Sequence, residues 1–460
     1  MEIKNFDDTI CAIATPIGTG SVGIIRISGS QAVMVAEKIF SFNLKGQKQA
    51  VFKENKVQRG WIIKDKKPLD EVVLIYFKSP KSYTGEDIIE IQCHGGLNIV
   101  RSILDLCVQS GARPAEKGEF TKRAFLNGKM DLSKAEAVLD LINSKTEKFA
   151  QISANNLAGK LSLVINEQRG ELIKLLSAIN AAIDFPDEVD EPDYGFLEEK
   201  ISVLINKIEE VLKSAPGYNL MKNGIKAAIA GRPNVGKSSL FNALLKIERS
   251  IVTEIPGTTR DIITETIDID GIPVTLTDTA GIREVSDDAH GNIEAIGIDI
   301  AKSAIQSADI VLFIFDSSKG FLKEDSVLYE EIKDMPHIVV GSKIDLPKEK
   351  QSKTSDFKYI GCSALTGEGL KKLEDKIKNL IFSGAVSENQ EFSVNLRQKD
   401  CLEKAKQSLE FALESSKEHK EHDFIAIDLK SALVALGEIT GEVVSDEIIN
   451  NIFESFCVGK

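Results

Sequence analysis

Gly231-Arg232-Pro233-Asn234-Val235-Gly236-Lys237-Ser238-Ser239 directly follows the apolar run Ile225 to Ala230, and few folds accept that succession. Strand, glycine loop and helix in this order make a nucleoside triphosphate site. The glycines let backbone N–H groups curl around phosphates, Lys237 neutralises the outer two, and the Ser238 hydroxyl ligates magnesium. A helix starting at Ser238 adds the positive end of its dipole. The segment predicts a chain that binds and hydrolyses a nucleotide.

After Thr253-Glu254-Ile255-Pro256, read as nucleotide contacts, four motifs follow in chain order: Gly257-Thr258-Thr259-Arg260-Asp261, Asp278-Thr279-Ala280-Gly281, Ser342-Lys343-Ile344-Asp345 and Cys362-Ser363-Ala364-Leu365. Their order and spacing resemble the guanine-nucleotide domain of the Ras-like translation-factor class. In that reading Thr259 is the switch threonine on magnesium, Asp278 holds magnesium through water, and Gly281 meets the γ-phosphate. Asp345 reads guanine, because one carboxylate accepts from the ring N–H and the exocyclic amine together, a pair adenine lacks. Ser342 stands where the class carries asparagine, so guanine specificity is expected to survive with reduced affinity.

The hydrolytic step departs from Ras-like chains. The residue after Asp-Thr-Ala-Gly is the apolar Ile282, which cannot orient water as glutamine does. Extra positive charge in the transition state is commonly an arginine from a partner, worth ~10³ to 10⁵ in rate. A monovalent cation can replace it: Asn234 offers a side-chain oxygen, and Thr253, Ile255 and Thr258 add backbone and hydroxyl oxygens. Such an all-oxygen cage suits a hard cation. The plainer reading of Asn234 is a neutral loop filler.

The 460 residues leave room for about three domains at roughly 150 residues each. With a net charge of -13 and a pI near 5.2, the chain has no overall basic field for non-specific nucleic-acid binding. Any RNA contact must be local. Cys11, Cys93, Cys107, Cys362, Cys401 and Cys457 show no zinc-like spacing, which predicts reduced thiols in a cytosol. No run of 18 apolar residues occurs, and a cytoplasmic protein is expected.

Residues 1–120 alternate strand-like and helix-like segments: Thr9 to Thr15, Gly23 to Ser28, Gln31 to Phe40, Glu71 to Phe77, Ile88 to Cys93 and Leu97 to Gln109. They predict an N-terminal α/β or α+β domain. From Leu132 the period becomes 3.6, through Ile152, Leu161, Ile165, Leu172, Leu176 and Ile179, which predicts long helices. Asp184 to Asp193, acidic and proline-bearing, reads as a solvated loop. Ala215-Pro216-Gly217 reads as a turn and linker, Ser383-Gly384-Ala385 as a second hinge. The predicted organisation is a helical domain, 121–214 and 386–460, interrupted by an inserted P-loop domain at 215–385.

Ala14-Thr15-Pro16, Gly23-Ile24-Ile25-Arg26-Ile27-Ser28-Gly29, Tyr83-Thr84-Gly85-Glu86-Asp87 and His94-Gly95-Gly96 carry a more specific likeness. Gly118-Glu119-Phe120-Thr121, Arg123-Ala124-Phe125-Leu126-Asn127-Gly128-Lys129 and the terminal Phe456-Cys457-Val458-Gly459-Lys460 complete it. Together they resemble, over essentially the whole chain, the tRNA modification GTPases of the MnmE (TrmE) family.

The resemblance implies a homodimer formed through N-terminal domains that bind a 5-formyltetrahydrofolate-type one-carbon donor. It implies a flavoprotein partner, MnmG (GidA), and an aminomethyl or carboxymethylaminomethyl group built at carbon 5 of the wobble uridine of certain tRNAs. It also implies a GTPase activated by potassium, held by Asn234, Thr253, Ile255 and Thr258, when two nucleotide domains meet. Glu294, before Ala295-Ile296-Gly297, is the implied water-orienting acid, with Asp287 or Asp288 as alternatives because the segment 286–293 is longer than the family pattern. The implied folate residues are Arg26, Glu90, Lys129 and Lys460. A carboxylate suits the pterin-like N–H groups, and the cations suit anionic parts of the ligand. Cys457 is either a small core residue or a reactive thiol, and His94 either joins this pocket or serves a turn. The competing reading is a ribosome-assembly or regulatory switch of the Era/Der type, which calls for a basic RNA-binding appendage or a second nucleotide domain; neither is visible in this acidic chain.

Overall fold

The computed structural model describes residues 8–44, 51–247, 264–278, 303–349, 358–382 and 391–460. The chain divides into two compact units, Met1–Leu139 with Leu157–Leu204 and Lys404–Lys460, and Asp140–Asn156 with Ile205–Glu403.

The first unit opens with β1 (Ile10–Ile13), β2 (Val22–Ser28), α1 (Ala32–Ile39), β3 (Phe40–Ser41), β4 (Val57–Lys64), β5 (Lys67–Phe77), β6 (Ile88–His94), α2 (Leu97–Gln109) and β7 (Arg113–Pro114). The strands form one seven-stranded sheet, ordered β3-β4-β5-β6-β2-β1-β7. All pairs are antiparallel except β1 with β7. Period-two alternation sends Ile25, Ile27, Ile89 and Ile91 to one face, where they are buried with Val35 and Ile39 of α1 and Ile103 and Cys107 of α2. Arg26 and Glu90, at alternate positions, fall on the other face. β4 was not expected from the sequence, since its polar Gln58 and Arg59 and its Gly60 mask the pattern.

α3 (Glu119–Leu126) is held by ion pairs. Arg123, with no exposed surface, donates to Asp8 Oδ1 at 2.8 Å, Glu119 Oε1 at 2.9 Å and Glu86 Oε1 at 3.1 Å. Arg113 adds a two-point grip on Glu119, at 2.8 and 2.6 Å. Burial pushes the Glu119 carboxyl up, but Arg113, the Glu116 N–H and Arg123 outweigh it and hold it below its ordinary value.

The helical period then continues as α4 (Leu132–Asn143), α5 (Glu147–Leu157), α6 (Lys160–Asp184) and α7 (Tyr194–Leu212). Leu161, Ile165, Leu172, Leu176 and Ile179 are all buried. The acidic segment after α6 is largely exposed, and His422 Nε2 ties its end to the Pro192 carbonyl at 3.0 Å.

Ala215-Pro216-Gly217 is not a linker. Pro216 opens α8 (Pro216–Asn223), at a helix start where its missing N–H has no partner to lose. Tyr218 and Met221 of α8 are buried with Phe149, Ile152 and Ile272, and the Tyr218 hydroxyl donates to Asp140 at 2.9 Å.

There follow β8 (Ile225–Ala230), α9 (Lys237–Ile247), β9 (Thr264–Ile269), β10 (Ile272–Asp278), β11 (Ile310–Asp316), α10 (Lys323–Glu330), β12 (His337–Ser342), β13 (Ile360–Gly361) and α11 (Leu370–Phe382). This six-stranded sheet has the order β13-β12-β11-β8-β10-β9. It is parallel apart from the β9–β10 hairpin.

The chain closes with α12 (Leu396–Lys417), α13 (His422–Thr440) and α14 (Asp446–Glu454). α13 packs along α6. Within the helical half expected at 386–460, α12 and α13 are separate helices, broken at His419, whose φ is +51°. Ser445 caps α14, its hydroxyl accepting from the Ile448 N–H.

Removing Arg123 takes the buried cation from Asp8, Glu86 and Glu119 and leaves Arg113, which reaches Asp8 and Glu119. Arg123→Met is expected to destabilise the first unit by about 3–5 kcal/mol in urea titrations at pH 7. Because Glu119 and Asp8 are held below their ordinary values, their contribution is complete above the ordinary carboxylate range. It disappears as pH falls through the depressed values, so the deficit of the variant should shrink in acid.

Candidate nucleotide-binding and hydrolysis site

Every described element of the site sits at the carboxyl edge of the six-stranded sheet. β8 lies between β10 and β11, so the connections leave in opposite directions there and open a crevice at the strand ends. Asp278 ends β10 level with Ile229. Asp316 ends β11 level with Ser342, the end of β12. Ser363 follows β13 and is fully buried.

The phosphate loop leaves β8 at Gly231, φ +148°, where a Cβ would stand 2.2 Å from the Ile314 carbonyl oxygen. Only glycine permits that approach. Asn234 at φ +61° and Gly236 at φ +99° complete the curl. The Lys237 ammonium, buried, donates to the carbonyls of Gly231 at 2.9 Å and Arg232 at 2.8 Å. Phosphate oxygens are stronger, charge-assisted acceptors than those carbonyls.

Ser238 Oγ donates to Asp278 Oδ2 at 2.7 Å. A hydroxyl and a carboxylate in contact at the mouth of the loop are the all-oxygen donor set magnesium prefers, with phosphate and water filling the remaining positions. Bound there, magnesium would neutralise charge developing on the phosphates.

Beside the loop is a cavity of about 180 Å³, lined by Asp345, Lys343, Ser342, Ala364 and Leu365 together with Gly236 and Ser239. Residues far apart in sequence therefore converge on one base-sized space. The Ser342 hydroxyl donates to the Val235 carbonyl and lies 3.0 Å from that of Phe315. In this structure it secures the phosphate loop. Lys343 donates to the Asn234 carbonyl at 2.8 Å and pairs with Asp316 at 2.8 Å. Burial pushes the Asp316 carboxyl up, yet Lys343 and the hydrogen bonds of Ser318 hold it below its ordinary value. Asp316 was missed in the sequence, although it ends an apolar run, Ile310 to Phe315, as Asp278 ends its own.

Thr253, Glu254, Ile255, Pro256, Gly257, Thr258, Thr259, Thr279, Ala280, Gly281 and Glu294, with Asp287 and Asp288, lie outside the described residues.

A second constellation lies in the first unit. Arg26 and Glu90 face each other across β2 and β6 and pair at 2.8 Å. The Arg26 guanidinium stands 5.5 Å from the Tyr83 ring and 5.6 Å from the Phe120 ring. The C-terminal segment comes to the same place: Phe120 N–H donates to the Lys460 carbonyl at 3.1 Å, and Gly118 N–H to that of Cys457 at 3.3 Å. Gly459, φ +98°, approaches β1 so closely that a Cβ would stand 2.2 Å from the Ile13 carbonyl oxygen. Phe456 anchors this tail in a core with Phe125, Ile449 and Phe453.

Lys129 donates to the Pro80 carbonyl at 2.9 Å. Cys457 is exposed, unlike the other cysteines, so it is not a core residue. Burial pushes the thiols of Cys11, Cys93 and Cys362 up to about 11. His94 is tied by Asp70, at 2.6 Å to Nδ1 and 2.8 Å to its backbone N–H. No described helix is long and apolar enough to cross a membrane.

The chain matches the family profile for the GTP-binding protein TrmE N-terminus over residues 9–129 and that for the MnmE helical domain over 132–457. It is 42% identical to the tRNA modification GTPase MnmE of Clostridioides difficile, covering 99% of both chains. It is 43% identical to that of Acetivibrio thermocellus over 99% of both. The protein of the same name from Thermotoga maritima is 43% identical over 98% of this chain and 100% of its own. Among solved structures, the G domain of the T. maritima FeoB iron transporter is 28% identical, covering 34% of this chain and 98% of its own at a TM-score of 0.25. Similarity sustained through both profiles and the full length of these relatives makes this chain a member of the MnmE (TrmE) family of tRNA modification GTPases.

Proposed function

We propose that GTP hydrolysis in this protein drives the building of an aminomethyl or carboxymethylaminomethyl group at carbon 5 of a tRNA wobble uridine, from a tetrahydrofolate one-carbon unit and together with the flavoprotein MnmG. The observation that carries the folate part is the convergence of Arg26, Glu90, Tyr83, Phe120 and the Lys460 carbonyl on one patch of the first unit. Flat rings beside a carboxylate and a guanidinium suit a folate. The rings stack on a pterin, Glu90 accepts from its N–H groups, and Arg26, Lys129 and Lys460 meet anionic parts. We read 5-formyltetrahydrofolate or a close relative as the ligand and the N-terminal domains as the dimer contact. The proposed domains are 1–120, a helical domain of 121–214 and 386–460, and the nucleotide domain 215–385.

Within the nucleotide site, Asp345 selects guanine, and Lys237 and the loop N–H groups bind the phosphates. Ser238 and Thr259 hold magnesium, Asp278 acting through water. Ile282 leaves the attacking water to another group, and Glu294 is assigned to orient it. Asn234 with Thr253, Ile255 and Thr258 is assigned to potassium, whose charge replaces an arginine finger. The left-handed backbone of Asn234, whose carbonyl is fixed by Lys343, supports this assignment by pre-setting that residue at the edge of the phosphate loop. The cation site is completed when two nucleotide domains meet.

Two measurements test the finer assignments. In calorimetric titration of the full chain with 5-formyltetrahydrofolate, Arg26→Ala or deletion of residues 457–460 should weaken binding by about tenfold or more. GTP affinity should stay at the parental level, and parental folate affinity in both variants would remove this site. Second, GTP turnover should rise when potassium replaces sodium. Glu294→Ala should lower turnover about 10²-fold or more, with GTP binding intact. Equal turnover in variant and parent would take Glu294 out of the mechanism.

A further inference from the structure

Arg232 is the second residue of the phosphate loop, yet its guanidinium is engaged away from the loop. Nε donates to Asp325 Oδ1 at 2.6 Å and Nη2 to Oδ2 at 2.9 Å, a two-point fork. Asp325 lies in the first turn of α10 and has no exposed surface. Its Oδ2 also accepts the Leu322 N–H at 3.0 Å. A fully buried carboxylate that meets a fork and a backbone donor has little freedom to move, so it is a fixed post. The fork also raises the Arg232 pKa, so the cation persists at any working pH.

The anchored residue carries more than its side chain. Its carbonyl and that of Gly231 both accept from the Lys237 ammonium. The same short stretch contains backbone at φ +148° and +61°, conformations that a free loop would exchange for others. We propose that Asp325 is a positioning residue of the nucleotide site: by gripping Arg232 it holds the first turn of the phosphate loop, and the carbonyls that seat Lys237, in the form that receives GTP. Asp325 touches no nucleotide in this account, and its effect passes entirely through Arg232.

The test is a double-mutant cycle read as equilibrium affinity for a fluorescent N-methylanthraniloyl GDP, with the full chain. Asp325→Asn keeps an oxygen for the Leu322 N–H while losing the charged fork, and Arg232→Met keeps length without the cation. Each should weaken binding by about tenfold, and the double variant should be no weaker than either single, because both remove the same contact. Unchanged affinity in Arg232→Met, or in the double variant, where Asp325→Asn leaves no buried charge unpaired, overturns the proposal. So does a loss confined to Arg232→Met, which would mean direct contact of Arg232 with the nucleotide, or a fully additive double loss.

Discussion

At Gly231 the backbone turns out of β8 against the Ile314 carbonyl, an approach that leaves no room for a side chain. The rest of the nucleotide site is arranged around that contact. It fixes where the loop leaves the sheet, and the end of β12 and the first turn of α10 then secure the loop from several sides. Ser342 grips the Val235 carbonyl, Lys343 that of Asn234, and Asp325 the Arg232 side chain. These bonds hold the backbone in a shape it would not keep alone, so the cost of organising a phosphate cradle is met by folding rather than by the ligand.

The first unit uses a different device. Its sheet has one face filled by α1 and α2, while the opposite face carries a smaller apolar cluster of Ile10, Ala12 and Phe120 beside polar side chains. There Arg26 and Glu90 sit as a cross-strand pair between aromatic rings. The C-terminal residues close that patch through backbone hydrogen bonds and the burial of Phe456. The Arg123 network holds α3, and with it Phe120, against the loops that carry Glu86 and Asp8. The patch proposed above for folate thus draws on residues far apart in the sequence, with buried ion pairs beside it.

What was legible in the sequence was chiefly what is contiguous. The phosphate loop, Asp278 and the segment Ser342 to Asp345 announce themselves because each motif must supply its chemistry from adjacent residues at a strand end. The sheet strands Gly23 to Ser28 and Ile88 to Cys93 were visible by alternation, and α6 by its period. Contacts formed across long separations were not. Arg232 and Asp325 are 93 residues apart, and Arg123 lies 115 from Asp8; neither pair leaves a local pattern. α8 was read as a turn because proline and glycine dominate its start, although proline is acceptable at a first helical position. The tail motif was visible only through family likeness, since the need for Gly459 follows from β1 lying against it.

We infer that a GTP cycle on this chain serves modification of the tRNA wobble uridine. It is tested most directly by mass spectrometry of tRNA nucleosides from cells lacking the protein, beside cells restored with the parent and with Asp278→Ala. Aminomethyl-type uridines at the wobble position should disappear in the lacking cells and return only with the parent. An unchanged nucleoside profile in the lacking cells, or full recovery with Asp278→Ala, would contradict it.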